Sequence, residues 1–186
     1  MNKFFGHLKT IKAHRKAVRK FCFKMGIPMQ GLLHDLSKYS PKELSQYKYY
    51  TGKKSPHEVM RDELGYSTSW YHHRNRNKHH WEYWIDSFEK RAAVKMPFKY
   101  VLEMLCDMAA AGYVYNGDKW QPKDVLDYWL KHDGAHRIIN PITKSFYTYL
   151  LMKLQSFNDM NSFARWVKEN KYILKHIYEN KENLLL

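Results

Sequence analysis

At 186 residues the chain is long enough to bury a real core and short enough to form one domain. Apolar residues make up 44% and charged residues 27%, which excludes wholesale disorder, and eight Gly with six Pro disfavour a fold of many tight β-turns. A net charge of +14 favours an anionic partner such as a nucleotide, a nucleic acid or a phosphorylated metabolite, the bland alternative being a basic, soluble surface.

Residues 3–25 open the chain with Phe4, Phe5, Leu8, Ile11, Val18, Phe21 and Cys22 at spacings of three, four and seven, the signature of an amphipathic helix. Gly26 and Pro28 end it, and a second helix is predicted over about 28–38. Ser40-Pro41-Lys42-Glu43 starts a third, with Ser40 as cap, Pro41 in the first turn and Glu43 at the capping-box position. The stretch 51–56 reads as a loop and 57–64 as a helix. A long helix is predicted from Ser67 to about Val94. Further helices follow over 98–115, 123–132, 142–156 and 161–180, broken at Asn116-Gly117, Asn140-Pro141 and Asn158-Asp159. No strand alternation is sustained, so the expected fold class is all-α. It is a single helical domain, with a metal-site core at about 8–115 and C-terminal helices at about 122–182 packing on it.

Cys22 and Cys106 lie in apolar helical contexts without Cys-x-x-Cys spacing and read as buried free thiols in a reducing compartment. The N-terminus has no apolar signal region and no stretch is long enough to span a membrane, so a cytoplasmic location and no membrane partner are expected.

Eight of the eleven histidines fall in the first 80 residues. His34-Asp35 lies in LLHDLSK, and His72, His73, His79 and His80 lie in WYHHRNRNKHHWEYW. Histidine and carboxylate are ligands for divalent first-row metals. Neighbours on a helix point about 100° apart, so His34 and Asp35 need an ion beside the helix and ligands from other elements. His14 on the preceding helix is one candidate. Asp107 is another, since it interrupts a nearly apolar run (LEMLCDMAAAG) where a buried carboxylate needs a cation or strong hydrogen bonds. On a continuous helix His73 and His80, seven apart, share a face. They are the favoured ligands of the cluster, with His79 facing substrate or supporting a ligand. The register of His72 and His79 is the alternative. Asn77, four from His73, is placed to orient a ligand, and Arg74, Arg76 and Lys78 to hold phosphate. Glu43, Glu82 and Glu103 are candidates for acid/base or ligand-supporting roles, but nothing in the sequence separates them from surface carboxylates. His7, His57, His132, His136 and His176 read as surface or structural residues, and Trp120, Tyr128 and Trp129 as core.

The ordered set His14, His34-Asp35, Asp107 resembles the HD-domain superfamily of metal-dependent phosphohydrolases, and HDLSK looks like its HD-x-x-K form. The resemblance implies a helical bundle around one or two divalent ions, with Lys38 near the substrate phosphate and added histidines, as at 72–80, in branches with more than one metal. The His14-to-His34 spacing is shorter, and the histidine cluster denser, than is typical there. A nearer resemblance over about 30–145 is to an uncharacterised family of small bacterial and phage proteins that pairs an H-x-x-x-N-x-HH-x-x-YW-type segment with an EM-x-x-D segment.

Three functions follow as expectations. The first is a metal-dependent phosphohydrolase acting on a nucleotide or other small phosphoester. It would use Mn, Fe, Zn, Co or Ni, with Asp35 and Lys38 catalytic. The second is a di-iron oxygenase-like enzyme on the same scaffold. The third is a non-catalytic nucleic-acid-binding or host-interaction protein, using the basic residues of the first helix (Lys3, Lys9, Lys12, Arg15, Lys16, Arg19, Lys20, Lys24) and of the C-terminal tail.

Overall fold

The computed structural model describes residues 2–86, 92–131 and 138–180. Helix α1 (Lys3–Lys24) is capped by Asn2, whose side chain accepts from the Phe4 amide, and runs through the whole amphipathic segment. Then come α2 (Pro28–Leu33), a 3₁₀ turn (Leu36–Tyr39), α3 (Pro41–Leu44), a second 3₁₀ turn (Ser45–Tyr49), α4 (Pro56–Leu64) and α5 (Thr68–Arg74). A 3₁₀ turn (Trp81–Trp84) leads into a ladder of β1 (Ile85–Asp86) and β2 (Ala92–Ala93). The rest is α6 (Phe98–Asn116), α7 (Lys123–Lys131), α8 (Pro141–Leu154), α9 (Met160–Glu169) and α10 (Lys171–Glu179). The fold is all-α. Among the described residues no helix is long and apolar enough to cross a membrane.

The apolar faces of α1 and α6 meet at the centre, and α9 packs on α1 while α8 and α10 pack on α6. Val18, Leu102, Leu105, Phe146, Leu150 and Phe163 are fully buried there, as are the free thiols of Cys22 and Cys106. This core holds α1 and α6 rigid, and both carry candidate ligands.

Three predicted helices are shorter than their sequence patterns suggest, and two of the breaks shape the site. The second stops at Leu33, so His34-Asp35 lies beyond a helix end: His34 is extended (φ −51°, ψ 127°) and Asp35 is left-handed (φ 54°, ψ 29°). The long helix from Ser67 stops at Arg74. The carbonyl of His73 then accepts from Arg76 N, Asn77 N and the Asn77 side-chain amide. Asparagine competes for backbone hydrogen bonds in this way and breaks helices. His73 and His80 therefore do not share a helix face. Asn170 divides the last predicted helix into α9 and α10.

Gly31 sets the seat of α2 on α1. A Cβ at this position would lie 2.8 Å from Cys22 Cβ and 3.1 Å from the Arg19 Cα. Arg15 then clasps the open end of α2, donating through Nε to the His34 carbonyl (2.8 Å) and through Nη2 to that of Leu32 (3.2 Å). Gly31→Ala is expected to lift α2, destabilise the fold by about 1–3 kcal/mol and weaken metal binding through His34. Urea melts and metal titration of the variant check both. An unchanged affinity would disprove the link from Gly31 to the site.

Candidate metal centre

Asp35 is completely buried, and it is the one non-glycine with positive φ among the described residues. A left-handed residue costs about 1–2 kcal/mol, least for Asp and Asn. The conformation turns the carboxylate inward between α1, α5 and α6. Its Oδ2 lies 3.2 Å from His34 Nε2 and 3.7 Å from His14 Nε2. Its Oδ1 lies 3.3 Å from His73 Nε2 and 3.5 Å from His79 Nε2. Each oxygen thus faces its own set of imidazoles.

The first set is His14, His34, Asp35 and Asp107, and the second is Asp35, His73, His79 and His80; a third group, His34, His79 and Glu103, joins one histidine of each. In the first, His14 and His34 Nε2 are 3.3 Å apart, and they lie 2.8 and 3.3 Å from Asp107 Oδ1. Ligand atoms that each bind one ion at about 2.0–2.2 Å stand roughly 3–3.5 Å apart. The observed separations match that spacing. The donor atoms also suit a metal: among the described residues His79 Nε2 and His80 Nε2 are buried without a hydrogen-bond partner, and Asp35 has the Lys38 ammonium beside Oδ2 but no hydrogen-bond partner of good geometry on either oxygen. The buried His/Asp groups could hold a metal ion.

Two carboxylates brace the imidazoles from behind. Glu103 Oε1 accepts from His34 Nδ1 (3.0 Å) and lies 3.1 Å from His79 Nδ1, so one side chain orients a histidine of each set and leaves both Nε2 atoms facing inward. Buried Glu43 contacts His72 Nδ1 (2.6 Å) and His73 Nδ1 (2.7 Å). Asn77 Nδ2 donates to Ser37 Oγ (2.8 Å), tying the turn after α5 to the turn after Asp35.

The charges respond to this crowding. Burial alone would raise the carboxyls of Asp35 and Asp107. Facing histidines, joined by Lys38 for Asp35, instead hold both well below the usual carboxylate range. Burial alone would lower His34, but Asp35, together with hydrogen bonds to Asp107 and Glu103, raises it well above 6.5. His80 goes the other way, lowered well below 6.5 by burial and by His79 and His73. The Lys38 ammonium lies 2.6 Å from Asp35 Oδ2.

The centre forms part of the lining of a cleft of about 550 Å³. His14, His73, His79, His80 and Asp107 face it, as does Lys38. Trp70, Trp81 and Trp120 line it, together with the cations Lys53, Lys54 and Arg61 and the carboxylates Glu58, Glu82 and Asp124.

The model of a family of unknown function, DUF5662, matches residues 3–153. The chain belongs to that family. No curated protein and no solved structure matches it. The matched span runs from α1 into α8, and so contains every residue of both ligand sets.

The structure draws His14, His34, Asp35, Asp107, His73 and His80 into these sets and sets Lys38 beside them. Asn77 contacts His73 Nδ1 at 3.1 Å. Several side chains lie elsewhere than expected. His79, expected to face substrate or support a ligand, has its Nε2 in the second set itself, 3.5 Å from Asp35 Oδ1. Arg74 lies over the Tyr71 ring and does not line the cleft. Arg15, one of the basic residues of the first helix, braces α2 through the His34 and Leu32 carbonyls. His7 and His57 line the cleft, as do Trp120 and Tyr128, which were expected in the core. His132 and His136 lie outside the described residues. Of the three glutamates weighed in the sequence, Glu43 and Glu103 are the ones that contact the imidazoles. Glu103 lies four residues before Asp107, on the same face of an apolar helix, and that spacing was a usable signal. Glu43 gave none, because Ser40 three residues earlier explained it as a capping residue.

Proposed function

We propose that this protein is a metal-dependent hydrolase of a small phosphoester, using two divalent transition-metal ions of the Mn, Fe, Zn, Co or Ni type. The observation that carries the reading is Asp35, whose two oxygens face separate histidine sets beside a cleft. Divalent ions held there supply Lewis-acid charge and make water a nucleophile at neutral pH. The chain's own residues do the rest. Glu103 and Glu43 fix the imidazoles so that little reorganisation is needed during reaction. The Lys38 ammonium, already at the Asp35 carboxylate, is within reach of a phosphate oxygen bound beside it and offsets the charge that develops there. The chain's net charge of +14 favours the approach of an anionic substrate.

The test joins elemental analysis of protein purified without chelator to hydrolysis assays on p-nitrophenyl phosphate and nucleoside monophosphates. Bound metal and turnover are expected. Lys38→Met should cut turnover by about 10²–10³-fold with metal content unchanged. Metal-loaded protein that hydrolyses none of these esters would overturn the reading. Bound iron with a visible absorption that changes under reductant would replace it with oxygen chemistry on the same scaffold.

A further inference from the structure

The cleft continues well past the metal centre. Helix α1 turns His7, Ile11 and His14 toward it at spacings of four and three, and α6 turns Asp107, Ala111 and Tyr115 toward it at spacings of four. His14 and Asp107 belong to the first ligand set. Seven residues at 1.5 Å each place His7 about 10 Å from His14 along the helix axis. The wall between them is largely apolar, with Ile11 from one helix and Ala111 from the other; Thr10 also lines the cleft, its hydroxyl already paired with the Gly6 carbonyl and the Tyr50 hydroxyl. Trp120 closes over Gly112, where a Cβ would stand 2.5 Å from the indole Nε1.

His7 is unlike the other histidines of the cleft. It is only 3% exposed, yet neither ring nitrogen has a hydrogen-bond partner among the described residues. Its ring packs at a tilt against Tyr50 with centroids 5.8 Å apart. Burial first, and then the charge of Lys38, push its pKa down to about 4, so it is a neutral imidazole at physiological pH. A neutral imidazole offers one N–H and one bare nitrogen. Left unpaired in a buried site, such groups are costly, and a ligand that pairs them recovers that cost.

We propose that His7 is a specificity residue in a second subsite of the cleft, reading an uncharged amide or hydroxyl on the far end of an apolar, ring-bearing phosphoester whose phosphate lies at the metal centre. The subsite rests on the phosphoester reading above. Its chemistry follows from three features. The neutral ring selects an uncharged polar group, the apolar wall selects a ring, and the 10 Å separation fits one ring between phosphate and polar group.

The test uses two non-hydrolysable probes, phenylphosphonate and 4-carbamoylphenylphosphonate, titrated calorimetrically into the manganese-loaded protein. The carbamoyl compound is expected to bind at least about tenfold more tightly, roughly 1.4 kcal/mol. In His7→Phe, with metal content unchanged, the two probes should bind alike, and His7→Gln should restore part of the preference. Equal binding by the unmodified protein overturns the subsite and leaves the phosphoester reading standing. A preference that survives in His7→Phe assigns the recognition elsewhere and also overturns it. Metal-loaded protein that binds neither phosphonate overturns both readings together.

Discussion

Asp35→Asn is expected to empty both metal sets at once. One carboxylate supplies an oxygen to each set, so removing its charge weakens both. Loss of a partner that only supports a ligand costs about 10–100-fold in metal affinity, and loss of a shared ligand should cost at least about 100-fold at each set. Asparagine is the right replacement because it tolerates the left-handed backbone that Asp35 adopts, whereas alanine would add strain. The control is a pair of variants that each touch one set. Asp107→Asn and His80→Ala should each lower metal content from about two equivalents to about one, while Asp35→Asn lowers it to near zero. Elemental analysis after gel filtration reads all three, and circular dichroism checks that they fold. Two equivalents retained by Asp35→Asn would refute the shared-carboxylate geometry.

Chelation is expected to lower the melting temperature by roughly 8–16 °C at pH 8. An ion present at a thousand times its dissociation constant stabilises the fold by about 4.1 kcal/mol, and a chain of this size shifts by about 2–4 °C per kcal/mol. The shift should shrink as pH falls, for a reason visible at His34. In the metal-free protein its folded pKa is raised well above 6.5 by Asp35, Asp107 and Glu103. A raised histidine stabilises the metal-free fold fully below pH 6.5, and that contribution is lost as pH rises through the folded value. A metal at Nε2 must displace that proton, so binding strengthens with pH until the folded pKa is passed. The gap between metal-loaded and chelated melting temperatures should therefore widen from pH 6 to pH 8. A gap that is flat, or that narrows, would show that no proton leaves the site on metal binding. Calorimetric or fluorescence melts at matched ionic strength decide it.

How much of this was legible beforehand differs from element to element. The long helices α1, α6 and α8 were readable because their apolar residues recur with the helical period and their ends carry Gly, Pro or Asn. His14, His34, Asp35 and Asp107 were readable as a group because a His-Asp pair and a carboxylate in an apolar run are hard to accommodate without a cation. Local pattern failed where local and non-local hydrogen bonds compete. Asn77 closes a turn with the His73 carbonyl and Ser37, and that turn, not a helix face, carries His79 and His80 to Asp35.

The residue sequence by itself determined an all-helical chain with an excess of positive charge and a histidine-rich first half. Periodicity, composition and charge are properties of the chain, independent of how its segments meet. Only the tertiary structure decided which side chains lose water. Glu43, Glu103 and His7 look like surface residues in the sequence, yet each lies within 5% of complete burial. The sharing of Asp35 between two histidine sets was likewise decided only there. It depends on a left-handed residue held in place by α1, α5 and α6 together, and no stretch of neighbouring residues encodes it.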